Sequence, residues 1–218
     1  MVLLLVLVAV VFMILIDILF IHSRKRVETL SSATQVVFNK KSILAPEGFY
    51  LSKGHTWAKI IDKNKIRIGI DDFVTKALGQ VSILNFVEPG TMVKKGDLLM
   101  LGKFDSKTVR FLSPVEGKIE IVNSKLIGNV ISDPYNNDWG VEIKTDSESS
   151  LSLLKSGTEA INFMKDEFKR LKEFLVMNSY KPQLAGVTMY DGGNVIEGAI
   201  ANLDKNTMLD FETMFLSF

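Results

Sequence analysis

From Phe49 to Lys144 the chain is a succession of short β-rich runs cut by turn residues. That rhythm confines this half of the sequence to a small sandwich or flattened barrel. Thr56-Trp57-Ala58-Lys59-Ile60-Ile61 and Lys65-Ile66-Arg67-Ile68-Gly69-Ile70 flank Asp62-Lys63-Asn64, which predicts a hairpin of alternating apolar residues. Asp71 to Gly79 predicts one short helix, capped by an aspartate and stopped by the glycine. Val81 to Phe86, Leu98 to Phe104, Val109 to Leu112, Gly117 to Asn123 and Gly140 to Lys144 supply further strands. Turns fall at Glu88-Pro89-Gly90 and Lys94-Lys95-Gly96-Asp97.

The flanks are of another kind. Val2 to Ile21 is apolar apart from Asp17, and as a helix it would reach ~30 Å, the thickness of a bilayer core. A removable signal peptide carries positive charge before its apolar run. Here the charge follows, in Arg24-Lys25-Arg26. The expectation is therefore a transmembrane anchor over 1–22 and a basic flank and linker over 23–46. The basic flank places the globular part in the cytoplasm, in a single-pass protein of the inner (cytoplasmic) membrane. A charge inside a span is costly and seeks a partner, so Asp17, Arg24, Lys25 and Arg26 are the expected membrane or partner contacts. Val36-Val37-Phe38 in the linker reads as a short strand or a docking patch.

Residues 151–218 form an expected helical C-terminal extension. Ile161, Met164, Phe168, Leu171 and Leu175 recur at helical spacing, with Lys165, Asp166, Glu167, Lys169, Arg170, Lys172 and Glu173 read as the opposite face. Such a helix packs on its own domain or on a partner; both readings stay open here. Lys181-Pro182 ends it, and Tyr190-Asp191-Gly192-Gly193 predicts a turn before a last helix with Leu209, Phe211, Met214 and Phe215.

Composition removes whole classes of chemistry. The 218 residues carry net charge +1, two histidines and no cysteine. Disulfides, thiolate metal sites and cysteine nucleophiles are excluded, and no basic stripe with interleaved aromatics suggests nucleic acid. His55 has no nucleophile beside it and reads as a packed or hydrogen-bonded residue at a strand start. Asp71, Asp72, Asp204 and Asp210 read as helix caps and solvated faces, without a third ligand at metal spacing. The chain is expected to be no enzyme and to hold no metal.

Six motifs stand in a fixed order between Phe49 and Leu154. They are Gly54-His55-Thr56-Trp57; Ile68-Gly69-Ile70-Asp71-Asp72-Phe73 with Ala77-Leu78-Gly79; Pro89-Gly90; Val93-Lys94-Lys95-Gly96; Leu112-Ser113-Pro114-Val115-Glu116-Gly117; and Asp133-Pro134-Tyr135 with Trp139 and Ile143-Lys144. Together they resemble the glycine cleavage system H-protein family. The resemblance implies a mainly β, lipoyl/biotinyl-carrier-like domain (a barrel-sandwich hybrid) over 47–150. It also implies a lipoyl arm on a lysine at a hairpin tip, which shuttles an aminomethyl group between partner enzymes without catalysis by the carrier.

The arm lysine of that family sits in Glu-Ser-Val-Lys-Ala, and the ungapped equivalent here is Lys103-Phe104-Asp105-Ser106-Lys107. Ser106 is ten residues after Gly96 and seven before Ser113, so it takes the lysine's place and Lys107 comes one position late. Between Asn123 and Asp133 the chain is also about three residues shorter than the family pattern, beside the arm's expected resting place. The expectation is a non-catalytic, membrane-anchored accessory or scaffold subunit of a membrane complex, without lipoate, whose partners are the membrane and protein subunits. The alternative is a membrane-tethered lipoyl carrier with lipoate on Lys107. A periplasmic adaptor shares the half-motif, but the basic flank and the missing long helical hairpin speak against it.

Overall fold

The computed structural model describes residues 36–145, 148–178 and 193–218. The expected anchor over 1–22, with Asp17, the basic residues Arg24, Lys25 and Arg26, and the turn from Tyr190 to Gly192 lie outside the described residues. Among the described residues no helix is long and apolar enough to cross a membrane.

The chain runs through β1 (Val37–Phe38), β2 (Tyr50–Leu51), β3 (Thr56–Asp62) and β4 (Lys65–Ile70) to helix α1 (Asp72–Leu78). Next come β5 (Val81–Phe86), β6 (Met92–Val93), β7 (Leu98–Phe104), β8 (Lys107–Leu112), β9 (Gly117–Val122) and β10 (Val141–Lys144). The tail holds α2 (Gly157–Asn178), β11 (Val195–Ile196) and α3 (Lys205–Phe215). Six strands form one sheet in the order β2-β3-β4-β10-β9-β6, and β5-β7-β8 form a second. The fold is mainly β, as the turn rhythm predicts, and β1 with β11 make a third sheet of two strands.

Local chemistry accounts for each junction. Alternation in β4 sends Ile66, Ile68 and Ile70 into the core, opposite their β3 and β10 partners. Asp71 N-caps α1, its Oδ1 accepting the Val74 N–H at 3.1 Å, and Gly79 ends the helix at φ +83°. The ordered motifs serve the same end. Trp57 Nε1 donates to the carbonyls of Ile70 and Pro134, both at 3.0 Å. Phe49 stands edge-on to Trp57 and Tyr135, with centroids 5.0 and 5.1 Å away. The Tyr135 hydroxyl donates to the Leu44 carbonyl at 2.6 Å. The Asp-Pro-Tyr turn thus pins the incoming linker to β3 of the large sheet.

Val37–Phe218 form one unit, so the tail packs on its own domain. Strand β1 pairs antiparallel with β11, Phe38 opposite Val195, and Phe38 meets Phe168 of α2 edge-on at 5.6 Å. Phe174, Phe211 and Phe215 pack together, and Phe215 lies 5.9 Å from Phe73 of α1. The buried stripe of α2 differs from the expected one. Ala160, Phe163, Met164, Glu167, Phe168, Leu171, Phe174 and Leu175 are buried, while Ile161 is exposed. Glu167 follows Phe163 by four and precedes Leu171 by four, so helical geometry puts it within the stripe and not on the solvent face. On α3, likewise, Phe211 and Phe215 are buried while Leu209 and Met214 face outward.

Candidate functional site

The β7–β8 hairpin carries the candidate site. Its base is fixed by backbone bonds, Gly96 N–H to Ser113 O and Ser113 N–H to Asp97 O, both at 2.8 Å. The buried Ser113 hydroxyl donates to the Val115 carbonyl at 2.7 Å, which shapes the Ser-Pro-Val turn. Thr56 Oγ1 donates to the Leu112 carbonyl at 3.1 Å and ties the hairpin to the start of β3.

At the far end Phe104 pairs with Lys107, leaving a two-residue turn of Asp105 and Ser106. Asp105 has φ +50°, a left-handed conformation that aspartate tolerates better than most residues. Both turn residues are exposed, and the Ser106 hydroxyl donates to Asp105 Oδ2 at 3.2 Å. Ser106 therefore occupies the tip, where the residue count placed it.

Lys107 is the first residue of β8 and does not share that position. Side chains alternate along a strand, so Lys107 shares a face with buried Val109 and Phe111, while Thr108 and Arg110 face outward. Its Nζ donates to the Ala201 carbonyl and lies 5.9 Å from the Phe104 ring centroid. The lysine is partly buried and held by the tail.

The segment that receives it is itself anchored. Gly198 N–H donates to Lys76 O at 2.8 Å and Ile200 N–H to Ala77 O at 3.1 Å, at the end of α1. Gly79 and Gly198 make the crossing possible, since a Cβ on Gly79 would stand 3.0 Å from the Gly198 Cα. Alongside, α3 reaches the outer face of β8. Glu212 is pushed up from the ordinary carboxylate range by burial, against the pull of Arg110.

His55 is the residue whose setting the sequence did not disclose. It lies fully buried in the turn before β3 at φ +58°, with Nδ1 2.7 Å from Asp71 Oδ2. Its Nε2 is 3.5 Å from Glu167 Oε2 on α2. Burial, the largest single influence, pulls its pKa down, but the Asp71 and then the Glu167 carboxylates together push it up to about 9. The signal that could have found this partner was Glu167 standing inside an apolar stripe. Asp71 is a helix cap, as expected, and so is Asp204, which accepts from Asn206 N–H and Thr207 N–H at the start of α3. Among the described residues no group of three or more His, Asp or Glu could hold a metal ion.

A lipoyl group needs an amine on an exposed tip. The tip offers a hydroxyl, and the neighbouring amine is engaged on the inner face of the hairpin. The residues present do not fit that group.

The family pattern and the curated relatives agree on one family. The pattern of the glycine cleavage H-protein family matches residues 49–167. The glycine cleavage system H protein of Coprothermobacter proteolyticus is 33% identical over 121 residues, covering 54% of this chain and 95% of its own length. The probable glycine cleavage system H protein of Pyrococcus abyssi is 30% identical over 123 residues, covering 55% of this chain and 91% of its own. A crystal structure of an H protein from Mycobacterium marinum covers 54% of this chain and 97% of its own, at 20% identity and a TM-score of 0.48.

Proposed function

The chain belongs to the glycine cleavage H-protein family, and we propose that it serves as a non-catalytic, armless member: a membrane-anchored accessory or scaffold subunit. One observation carries the armless reading. The hairpin tip is Asp105-Ser106, and the nearest lysine is turned inward and bonded to Ala201. What remains is a rigid two-sheet body with a tail folded over one flank, suited to holding protein subunits of a membrane complex in place. The anchor of this reading rests on the apolar run from Val2 to Ile21 and the basic residues that follow it.

The rival reading, a lipoyl carrier acting through Lys107, draws on family membership alone. It requires Lys107 to leave Ala201 and the two-residue turn to be rebuilt.

The test is enzymatic modification of the purified full chain by a lipoate ligase, with ATP and lipoate, beside the Ser106→Lys variant. The armless reading predicts a lipoyl mass increment on residue 106 of the variant and none on the unaltered chain. An increment on Lys107 of the unaltered chain would overturn it.

A further inference from the structure

A second cluster of charged groups lies away from the hairpin tip, between the carrier fold and its extension. His55 and Asp71 belong to the carrier fold and are fully buried; Glu167 belongs to α2 and is 3% exposed. Both ring nitrogens of His55 face carboxylate oxygens, at 2.7 Å and 3.5 Å. A carboxylate only accepts, so the arrangement calls for protons on both nitrogens and an imidazolium between two acids. His55 Nε2 and Glu167 Oε2 have no hydrogen-bond partner at standard geometry, and each is the other's facing charge.

The relay continues outward. Glu167 Oε1 accepts from Arg170 Nη1, and Arg170 Nη2 donates to the Met214 carbonyl of α3 at 2.9 Å. A stack of rings runs beside it: Phe163, His55, Phe73 and Phe215, with successive centroids 5.6, 4.4 and 5.9 Å apart. Carrier turn, α1 cap, α2 and α3 are therefore joined through one line of two acids and two cations. A buried ion pair adds little net stability, but removing one member leaves a buried charge uncompensated, which suits a device that fixes one register.

We propose that His55, Asp71, Glu167 and Arg170 form a latch that holds the C-terminal extension on the carrier fold, and that the latched extension acts as an internal cap shielding Lys107. The cap reaches Lys107 through Ala201, whose segment is bonded to the end of α1. This inference does not depend on whether the protein carries an arm. It concerns who can reach the lysine.

The test acetylates the full chain with a small N-hydroxysuccinimide ester. The lysine Nζ takes the acetyl group and releases N-hydroxysuccinimide and a proton. Lys103, exposed on the opposite face of the same hairpin, is the internal reference. Peptide masses should show Lys107 reacting at least tenfold more slowly than Lys103. Glu167→Gln should remove most of that difference. It should also raise amide exchange in α2 and α3 at least tenfold while β4 and β10 keep their protection. Arg170→Gln, at the half-exposed end of the relay, should act in the same direction by at least threefold and covers the case in which Glu167→Gln does not fold. Unchanged Lys107 reactivity in the folded variants would overturn the proposal. So would exchange in β4 and β10 rising in step with α2, because the extension would then be inseparable from the fold.

Discussion

Lys107 donates its ammonium to the backbone carbonyl of Ala201, 94 positions further along the chain. The contact closes the tail over the inner face of the hairpin whose tip is Ser106. It is a partly buried hydrogen bond from a charged donor to a carbonyl that water can partly replace. Lys107→Met should therefore cost about 1–2 kcal/mol in urea denaturation. A loss above about 4 kcal/mol would mean that the lysine supports the core and not only the tail.

Two glycines of the core have unlike neighbours. A Cβ on Gly69 would lie 2.4 Å from Trp57 Cζ2, and one on Gly140 would lie 2.3 Å from Met100 Sδ. The indole is held by two hydrogen bonds from Nε1 and cannot retreat, whereas a thioether can change rotamer. Gly69→Ala should cost more than Gly140→Ala, by about 1–3 kcal/mol for an overpacked rigid site, and should shift Trp57 fluorescence. Equal costs would show that the tryptophan is free to move.

The His55 cluster sets a pH profile. His55 is raised from 6.5 to about 9, because Asp71 and Glu167 outweigh the opposing effect of burial. A raised folded-state pKa means that its stabilisation is complete below pH 6.5 and drains away as pH rises through 9. Glu167 runs the other way. Burial raises it, but His55 and Arg170 pull it below the ordinary carboxylate range, so its contribution is lost as acid protonates it. Burial pushes Asp71 up, so acid does not cost stability there and the acid limb belongs to Glu167. Stability should plateau at about pH 5 to 6.5 and fall toward pH 9 by up to ~3 kcal/mol. His55→Gln should lower the plateau and flatten the alkaline limb in a series of urea titrations; an unchanged limb would assign it to another group.

Phe215 packs against Phe73, Phe174 and Phe211 and is fully buried. Phe215→Ala should cost about 3–5 kcal/mol, the usual range for emptying an aromatic core position. Urea denaturation should register that loss, with amide exchange rising first in α2 and α3. A loss within about 0.5 kcal/mol, as for a surface substitution, would contradict the buried packing of this ring.

Much of this was legible in the sequence because the determinants are local. The β3–β4 hairpin, the Asp71 cap, the Gly79 stop and the position of Ser106 follow from alternation, cap chemistry and counting. The pairing of β1 with β11 was not legible, since two-residue strands from opposite ends of the chain carry no periodicity. A packed or hydrogen-bonded His55 at a strand start is legible, and its bond to Asp71 agrees with that. Its second acid comes from α2, more than a hundred positions later, and only a folded chain brings the two together. Glu167 could have been noticed as a carboxylate within an apolar stripe, but nothing in the stripe names the histidine it faces.

The armless tip proposed here for Asp105-Ser106 is tested by the intact mass of the native protein from lipoate-competent cells, with peptide mapping across Met100 to Lys118. The predicted result is an unmodified peptide containing free Ser106 and Lys107. A lipoyl-sized increment on Lys107 would contradict the account, since it requires the Ala201 contact to be broken and the turn to be re-formed around a different tip.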